Sequence, residues 1–255
     1  MQSHSASSTL EDELNEVHDT LQSAVDALGS PLGDIVRAQA KRAYPLVRAA
    51  VVLASAISAQ RDDDLRRRRI SLAAALEMLH IALNVHRLLV GAAYNRHPGD
   101  RDGVLDRSFV GSTILSGDYC FSRAAQFAAA TDNPRVVAHF AQTLQIVSEG
   151  QLRHQFDHNG DNGHPDYDET NELLRSGVLA AAALADLTSE ETNSLVDLSQ
   201  EVAHRLSLHA PVTFTDANLP ATLSPERLAR WRALPLLLST QPKNGKIAAS
   251  SPPLR

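Results

Sequence analysis

An all-α fold is the class this sequence predicts, and three observations carry the prediction. Apolar residues recur at steps of three and four along nearly the whole chain, the spacing that lines one face of a 3.6-residue helix. No segment alternates apolar and polar residues as a half-buried strand would. Helix-start signals, a polar cap followed by proline or acids, stand at Thr131-Asp132-Asn133-Pro134 and Thr188-Ser189-Glu190-Glu191.

The first helix is expected to carry Leu14, Val17, Leu21, Val25 and Leu28, after a flexible Ser-rich N-terminus over residues 1–13. Gly29-Ser30-Pro31 breaks it. A second helix is expected from about Asp34 to Gln60, bent or interrupted near Pro45, because proline removes a backbone donor and crowds the preceding turn. Arg61–Arg69 reads as a solvated, charged helix start, and Asp62-Asp63-Asp64 belongs to it. A third helix spans Leu72–Ala93, and Asn95–Asp106 is loop. Further helices are expected over Gly111–Thr131, Pro134–Gln155, Glu169–Ala185, Ser189–Leu208 and Ser224–Leu238. The polar stretch His154–Tyr167 is loop; it lacks the glycine and terminal glutamate spacing of a calcium-binding loop. The chain thus reads as one helical domain over residues 14–240 with a disordered tail over 241–255, rich in Lys, Gly, Ser and Pro.

Composition narrows the function classes. With 255 residues, 43% of them hydrophobic, the chain can bury one sizeable core. A formal charge of −6 argues against nucleic acid or an anionic membrane as the main partner. Cys120 is the sole cysteine, so no intramolecular disulfide can form, and it reads as a buried apolar thiol. No apolar run reaches the ~18–20 residues that span a bilayer. Neither a signal core nor an Arg-rich transit character marks the N-terminus. The cytoplasm is the expected compartment, with the mitochondrial matrix as the alternative in a eukaryote.

Between Leu76 and Gly91 the chain reads LEMLHIALNVHRLLVG. This segment resembles the first aspartate-rich region of the trans-prenyl diphosphate synthases, E-x-x-H-x-x-x-x-x-H-D-D-x-x-D, with Glu77, His80 and His86 in place. Other landmarks follow in the family's order. Ser116-Gly117-Asp118-Tyr119 with Ser122-Arg123-Ala124 resembles its A-G-D-Y-L-L-A-R-A helix start. Ser148-Glu149-Gly150-Gln151 with Gln155 is similar to E-G-E-x-x-Q, Arg175-Ser176-Gly177-Val178-Leu179 to K-T-[AG]-x-L, and Leu234-Pro235-Leu236-Leu237-Leu238 to T-L-P-L-L-L. The resemblance implies an isoprenoid synthase-like helical bundle, shortened at the C-terminus.

The departures are as consistent as the matches. The three aspartates of the first motif are Arg87, Leu88 and Gly91. The second motif, F-Q-x-x-D-D-x-x-D, falls on Leu206–Phe214, where the aspartate positions hold Ala210, Pro211 and Phe214. Carboxylates at such spacings hold Mg²⁺, a hard cation that needs oxygen ligands, and arginine, leucine, glycine, alanine, proline and phenylalanine cannot. In the G-G-K-R-x-R-P signature the glycines are Gln39 and Ala40 and the second arginine is Tyr44, while Lys41, Arg42 and Pro45 remain. The paired arginines after the first motif are Arg96 and His97.

The nearest pattern is the non-catalytic second subunit of decaprenyl diphosphate synthase, which also carries an I-H-I-A-x-x-V-H-R-type helix; Leu79-His80-Ile81-Ala82 and Val85-His86-Arg87 match it. The resemblance implies a catalytically silent subunit of a heteromeric prenyl synthase that stabilises or regulates an active partner in quinone side-chain biosynthesis. It implies no metal or cofactor on this chain, with Mg²⁺ only in the partner subunit. Pairing is expected through Ser112–Ala130 and Val136–Gln151, whose alanine-rich faces allow close helix approach. Two alternatives stay open: a homodimer holding a prenyl or other apolar ligand in the emptied cleft, and a residual prenyltransferase or enzyme of changed chemistry. Lys41, His80 and Arg96 are the candidate remnants of a diphosphate site. Glu77, His80 and His86 also admit a reading as mutually satisfied groups within a helical core. His80 and His86 are six residues apart and face different sides of a helix, so they are not read as a metal pair.

Overall fold

The computed structural model describes residues 2–43, 46–57, 62–94, 107–156, 167–215 and 218–240. Among these residues the structure is helical, with no strand. The helices are α1 (Gln2–Asp26), α2 (Leu32–Ala43), α3 (Val47–Ser55), α4 (Asp63–Tyr94), α5 (Arg107–Ala129), α6 (Pro134–Phe156), α7 (Glu169–Leu184), α8 (Ser189–Ser207) and α9 (Pro225–Thr240).

The start signals act as the sequence predicts. Asn133 Oδ1 accepts the Arg135 N–H at 3.0 Å, fixing the entry to α6. Thr188 and Glu191 form a reciprocal capping box on α8. Asp62 Oδ1 takes the N–H groups of Asp64 and Leu65 at 2.9 and 3.1 Å, so the aspartate run is a helix start. Gly29, at φ 69°, supplies the left-handed turn that ends the first helical segment.

The second helical stretch is interrupted near Pro45 as expected, into α2 and α3, and Pro45 itself lies outside the described residues. Two expectations change. The first helix begins at Gln2, ahead of Leu14, and both Leu10 and Glu13 are fully buried. The arginine run is not uniformly solvated: Arg69 is buried against Glu13, while Arg67 is exposed. The 95–106 loop, most of the 154–167 loop and the 241–255 tail lie outside the described residues.

Helix α4 is the axis of the fold. It packs against α5 most extensively and also meets α1, α2, α3 and α7. Its core face is built of small and branched residues, Ala73, Ala74, Ala75, Leu79, Ala82 and Val85, all fully buried. By length and composition the stretch Asp63–Leu89 could cross a membrane, contrary to the sequence reading. Two-thirds of that window (67%) is buried inside the protein, the position of a core helix. The difference arises because Glu77 and Arg87 are the charges between Ile70 and Leu89, and both find protein partners.

A buried ion cluster ties the N-terminus to the far end of the chain. Glu13 of α1 accepts from Arg69 of α4 (Nε 3.1 Å, Nη2 2.5 Å) and from Arg230 of α9 (Nη1 2.6 Å, Nη2 3.0 Å). Burial alone would raise the Glu13 carboxyl, but the Arg230 and Arg69 hydrogen bonds outweigh it and hold the group below the usual carboxylate range. Nearby, Arg227 donates to the carbonyls of Ser55 and Ile57, satisfying the end of α3.

Candidate functional site

The site residues on α4 divide between two sides of the helix. Glu77 is fully buried and faces α3. Leu46, at the N-cap of α3, has no side chain that can accept a hydrogen bond. Glu77 supplies the acceptor from across the bundle: its Oε1 takes the Ala49 N–H at 3.0 Å, and its Oε2 stands 3.6 Å from Arg48 Nη1. The carboxylate thus satisfies an orphan donor of a helix start and favours its positive end.

His80 lies one turn on, almost buried. Arg87 Nη1 donates to Asn84 Oδ1 at 2.6 Å, which turns the Asn84 amide so that its Nδ2 donates to His80 Nε2 at 3.0 Å. That leaves the ring proton on Nδ1, 3.5 Å from Glu169 Oε1. Burial lowers the His80 pKa more than its acidic neighbours raise it, so the ring is neutral near pH 7.

Glu169, the first residue of α7, is the node of this cluster. Its Oε2 accepts from Arg87 Nη2 and from Gln151 Nε2 of α6, the latter at 2.6 Å. Burial would raise its carboxyl, yet His80, Arg87 and Gln151 outweigh that and hold it at about 2. Tyr167 packs its ring over Gly150, where a Cβ would lie 2.2 Å from the ring. Burial pushes the Tyr167 hydroxyl up, so it stays protonated. Beside this node a cleft of about 170 Å³ opens between α3, α7 and the end of α8, lined by Val47, Arg48, Asp168, Thr170, Leu174, Leu206 and Ser207.

His86 faces the other way. Its Nε2 is 3.5 Å from Asp118 Oδ1, and its ring packs on Phe121 at 5.1 Å and against Gly117 of α5. The Ser116–Tyr119 landmark is therefore mid-helix rather than a helix start, and Tyr119 donates to the Ala24 carbonyl at 2.6 Å. Cys120 is buried, and burial pushes its thiol up to about 12, as suits an apolar packing group.

Of the three candidate remnants, His80 belongs to the cluster, Lys41 is exposed on the last turn of α2, and Arg96 lies outside the described residues. The first motif's positions are on α4, with Arg87 committed to Glu169 and Asn84, Leu88 partly buried, and Gly91 in the last turns. The second motif's positions leave the helix altogether. α8 ends at Ser207, and Ala210, Pro211 and Phe214 follow in non-helical chain. The Phe214 ring meets Trp231 edge-on at 5.5 Å. The divalent ions that the fold family uses therefore meet no fitting donor set at these six positions, which offer no side-chain oxygen. Glu169, Gln151 and Arg48 were not legible as a cluster with α4, because only the folded chain brings the three helices together.

Comparison with known proteins places this architecture. A family model described as Polyprenyl synthetase matches residues 25–206, ending where the second motif would begin. The chain belongs to the polyprenyl synthetase family. It is 26% identical over 204 residues to a prenyl transferase of Synechocystis sp., covering 76% of this chain and 61% of that protein. It is 30% identical over 149 residues to heptaprenyl diphosphate synthase component 2 of Geobacillus stearothermophilus, covering 57% of this chain and 44% of that one. The chain spans about three-fifths or less of the length of these relatives. Among solved structures it is similar to the geranyl diphosphate synthase small subunit from Antirrhinum majus (TM-score 0.57, 16% identity, covering 92% of this chain and 99% of that one). It is also similar to a decaprenyl diphosphate synthase from Rhodobacter capsulatus (TM-score 0.55, 18% identity, 86% and 70% covered). These structural likenesses establish the isoprenoid synthase-like fold.

Proposed function

We propose that this chain is a non-catalytic subunit of a heteromeric trans-prenyl diphosphate synthase, stabilising or regulating an active partner in isoprenoid biosynthesis. One observation carries the reading. The positions where the resemblance expects metal-holding aspartates hold Arg87, Leu88, Gly91, Ala210, Pro211 and Phe214, and Arg87 is bound to a carboxylate of its own chain. Ionising an allylic diphosphate develops concentrated negative charge on the leaving group, and divalent cations supply the positioning and neutralisation. Mg²⁺ then acts in the partner, and this chain binds none.

Two further features support the reading. A relative over part of the chain is named as component 2 of a heptaprenyl diphosphate synthase. Helices α5 and α6, expected to pair with a partner, leave Phe109, Ile114, Leu115, Val137 and Leu152 exposed.

The test is purification from the native host followed by assay with allylic and homoallylic diphosphates and Mg²⁺. A synthase carrying both aspartate motifs should co-purify, and turnover should require it. Turnover by the isolated chain would overturn the proposal, and a stable homodimer with no synthase bound would favour an apolar-ligand-binding role instead.

A further inference from the structure

We infer that Glu169 is a built-in occupant of an oxyanion site, and that its removal exposes a pocket for a phosphate-sized anion. The inference rests on local geometry and does not require the heteromeric role. Two donors from two other helices meet on one carboxylate oxygen, Arg87 Nη2 and Gln151 Nε2 on Oε2, and the buried His80 Nδ1, which makes no hydrogen bond, faces Oε1 at 3.5 Å. The arrangement matches what a tetrahedral oxyanion would need, a guanidinium beside neutral donors.

The surroundings favour an anion over an empty space. Glu169 is the first residue of α7, so the carboxylate lies at the positive end of that helix. The Arg87 guanidinium is itself oriented by Asn84 Oδ1, so it does not depend on Glu169 for its position. The His80 ring is likewise held by Asn84. The Glu169 side chain is 13% exposed, and its chain neighbours Asp168 and Thr170 line the cleft. Without the carboxylate, Gln151 Nε2 loses its acceptor, the buried His80 Nδ1 stays unpartnered, and the half-exposed Arg87 guanidinium is left facing the vacated place, an arrangement that an anion would satisfy.

The experiment compares wild type with Glu169→Ala and Glu169→Ser, using inorganic phosphate, pyrophosphate and acetate as probes. ³¹P line broadening reads the phosphates, and the thermal midpoint reads all three. The variants should bind phosphate at least tenfold more tightly than wild type, and phosphate should raise the variants' thermal midpoint while leaving that of wild type unchanged. Adding Arg87→Ala to either variant should abolish the gain. Pyrophosphate in place of phosphate as the tighter probe supports a diphosphate-ester ligand; acetate binding as tightly supports a carboxylate ligand of the same site. Variants that neither bind phosphate nor recover stability with it, or that bind it equally well without Arg87, overturn the inference. Absence of any synthase partner for the wild-type chain, with the variants binding phosphate as expected, would count against the subunit reading alone.

Discussion

Replacing Glu13 by alanine tests whether the α1–α4–α9 cluster holds the fold together. The carboxylate is fully buried and accepts four hydrogen bonds, at 3.1, 2.5, 2.6 and 3.0 Å, from two guanidiniums that are themselves only 7% and 3% exposed. Removing it strands both cations. Arg230 keeps its bond to the Leu53 carbonyl at 2.9 Å, so Arg69 suffers most. Breaking a buried pair by deleting one member costs about 3–5 kcal/mol, against a total stability of about 5–15 kcal/mol. With a urea slope near ~3 kcal/mol/M for a chain of this size, a loss of about 4 kcal/mol lowers the midpoint by about 1.3 M. Equilibrium urea unfolding followed by circular dichroism reads this directly. Raising the salt to 1 M should leave the difference nearly unchanged, because buried charges are poorly screened. The triple variant Glu13→Met, Arg69→Met, Arg230→Met should recover most of the loss, since an apolar replacement leaves no stranded charge. A loss below about 1 kcal/mol for Glu13→Ala, or no recovery in the triple variant, would refute the argument.

Acid should loosen the Glu169 node. Its folded pKa is about 2 against an ordinary 4.5, so its contribution is complete above pH 4.5 and is lost as pH falls from there towards 2. The gap corresponds to about 3 kcal/mol at most, and urea midpoints should be less acid-sensitive over that range in Glu169→Gln than in wild type. In Gly117→Ala the new Cβ would stand 2.3 Å from His86 Nε2, forcing the ring off α5. That should cost about 1–3 kcal/mol, whereas in a His86→Ala background the same change should stabilise by up to about 1 kcal/mol through helix propensity. Denaturant melts of the four proteins give the cycle. Thr188→Ala removes the capping box of α8 and should lower stability by about 1 kcal/mol, with faster amide exchange confined to the first turn of α8.

The helices were legible because each advertises itself locally. The Thr188 box, the Asn133–Pro134 start and the Leu14-to-Leu28 stripe are readable within a dozen residues. The N-terminal reach of α1 was not, since the partners that hold Glu13 are supplied by α4 and α9. Arg69 looked like one of four surface arginines for the same reason: its partner lies 56 residues away. The site divides similarly. Glu77, His80 and Arg87 could be placed on one helix from spacing alone, but their partners on α3 and α7, and the Gln151 of α6 that joins them at Glu169, could not.

The two altered motifs are embedded in the structure by different physics. At the first, a position on α4 that would carry an acid carries Arg87, and Glu169 answers with the opposite charge from α7. Placing an aspartate at 87 alone would therefore set two carboxylates together, and like charges at that range disfavour ionisation of both. At the second, the chain has left the helix by Ala210, and Phe214 is packed on the fully buried Trp231. An aspartate there would remove the Phe214–Trp231 ring contact and carry a charge towards the packed region, at a desolvation cost. Neither position is a simple gap that an acid could refill. Their neighbours have adjusted, one by charge and one by packing, and restoring a single acid at either place would have to undo that adjustment as well, which is what the proposed subunit role expects of these positions.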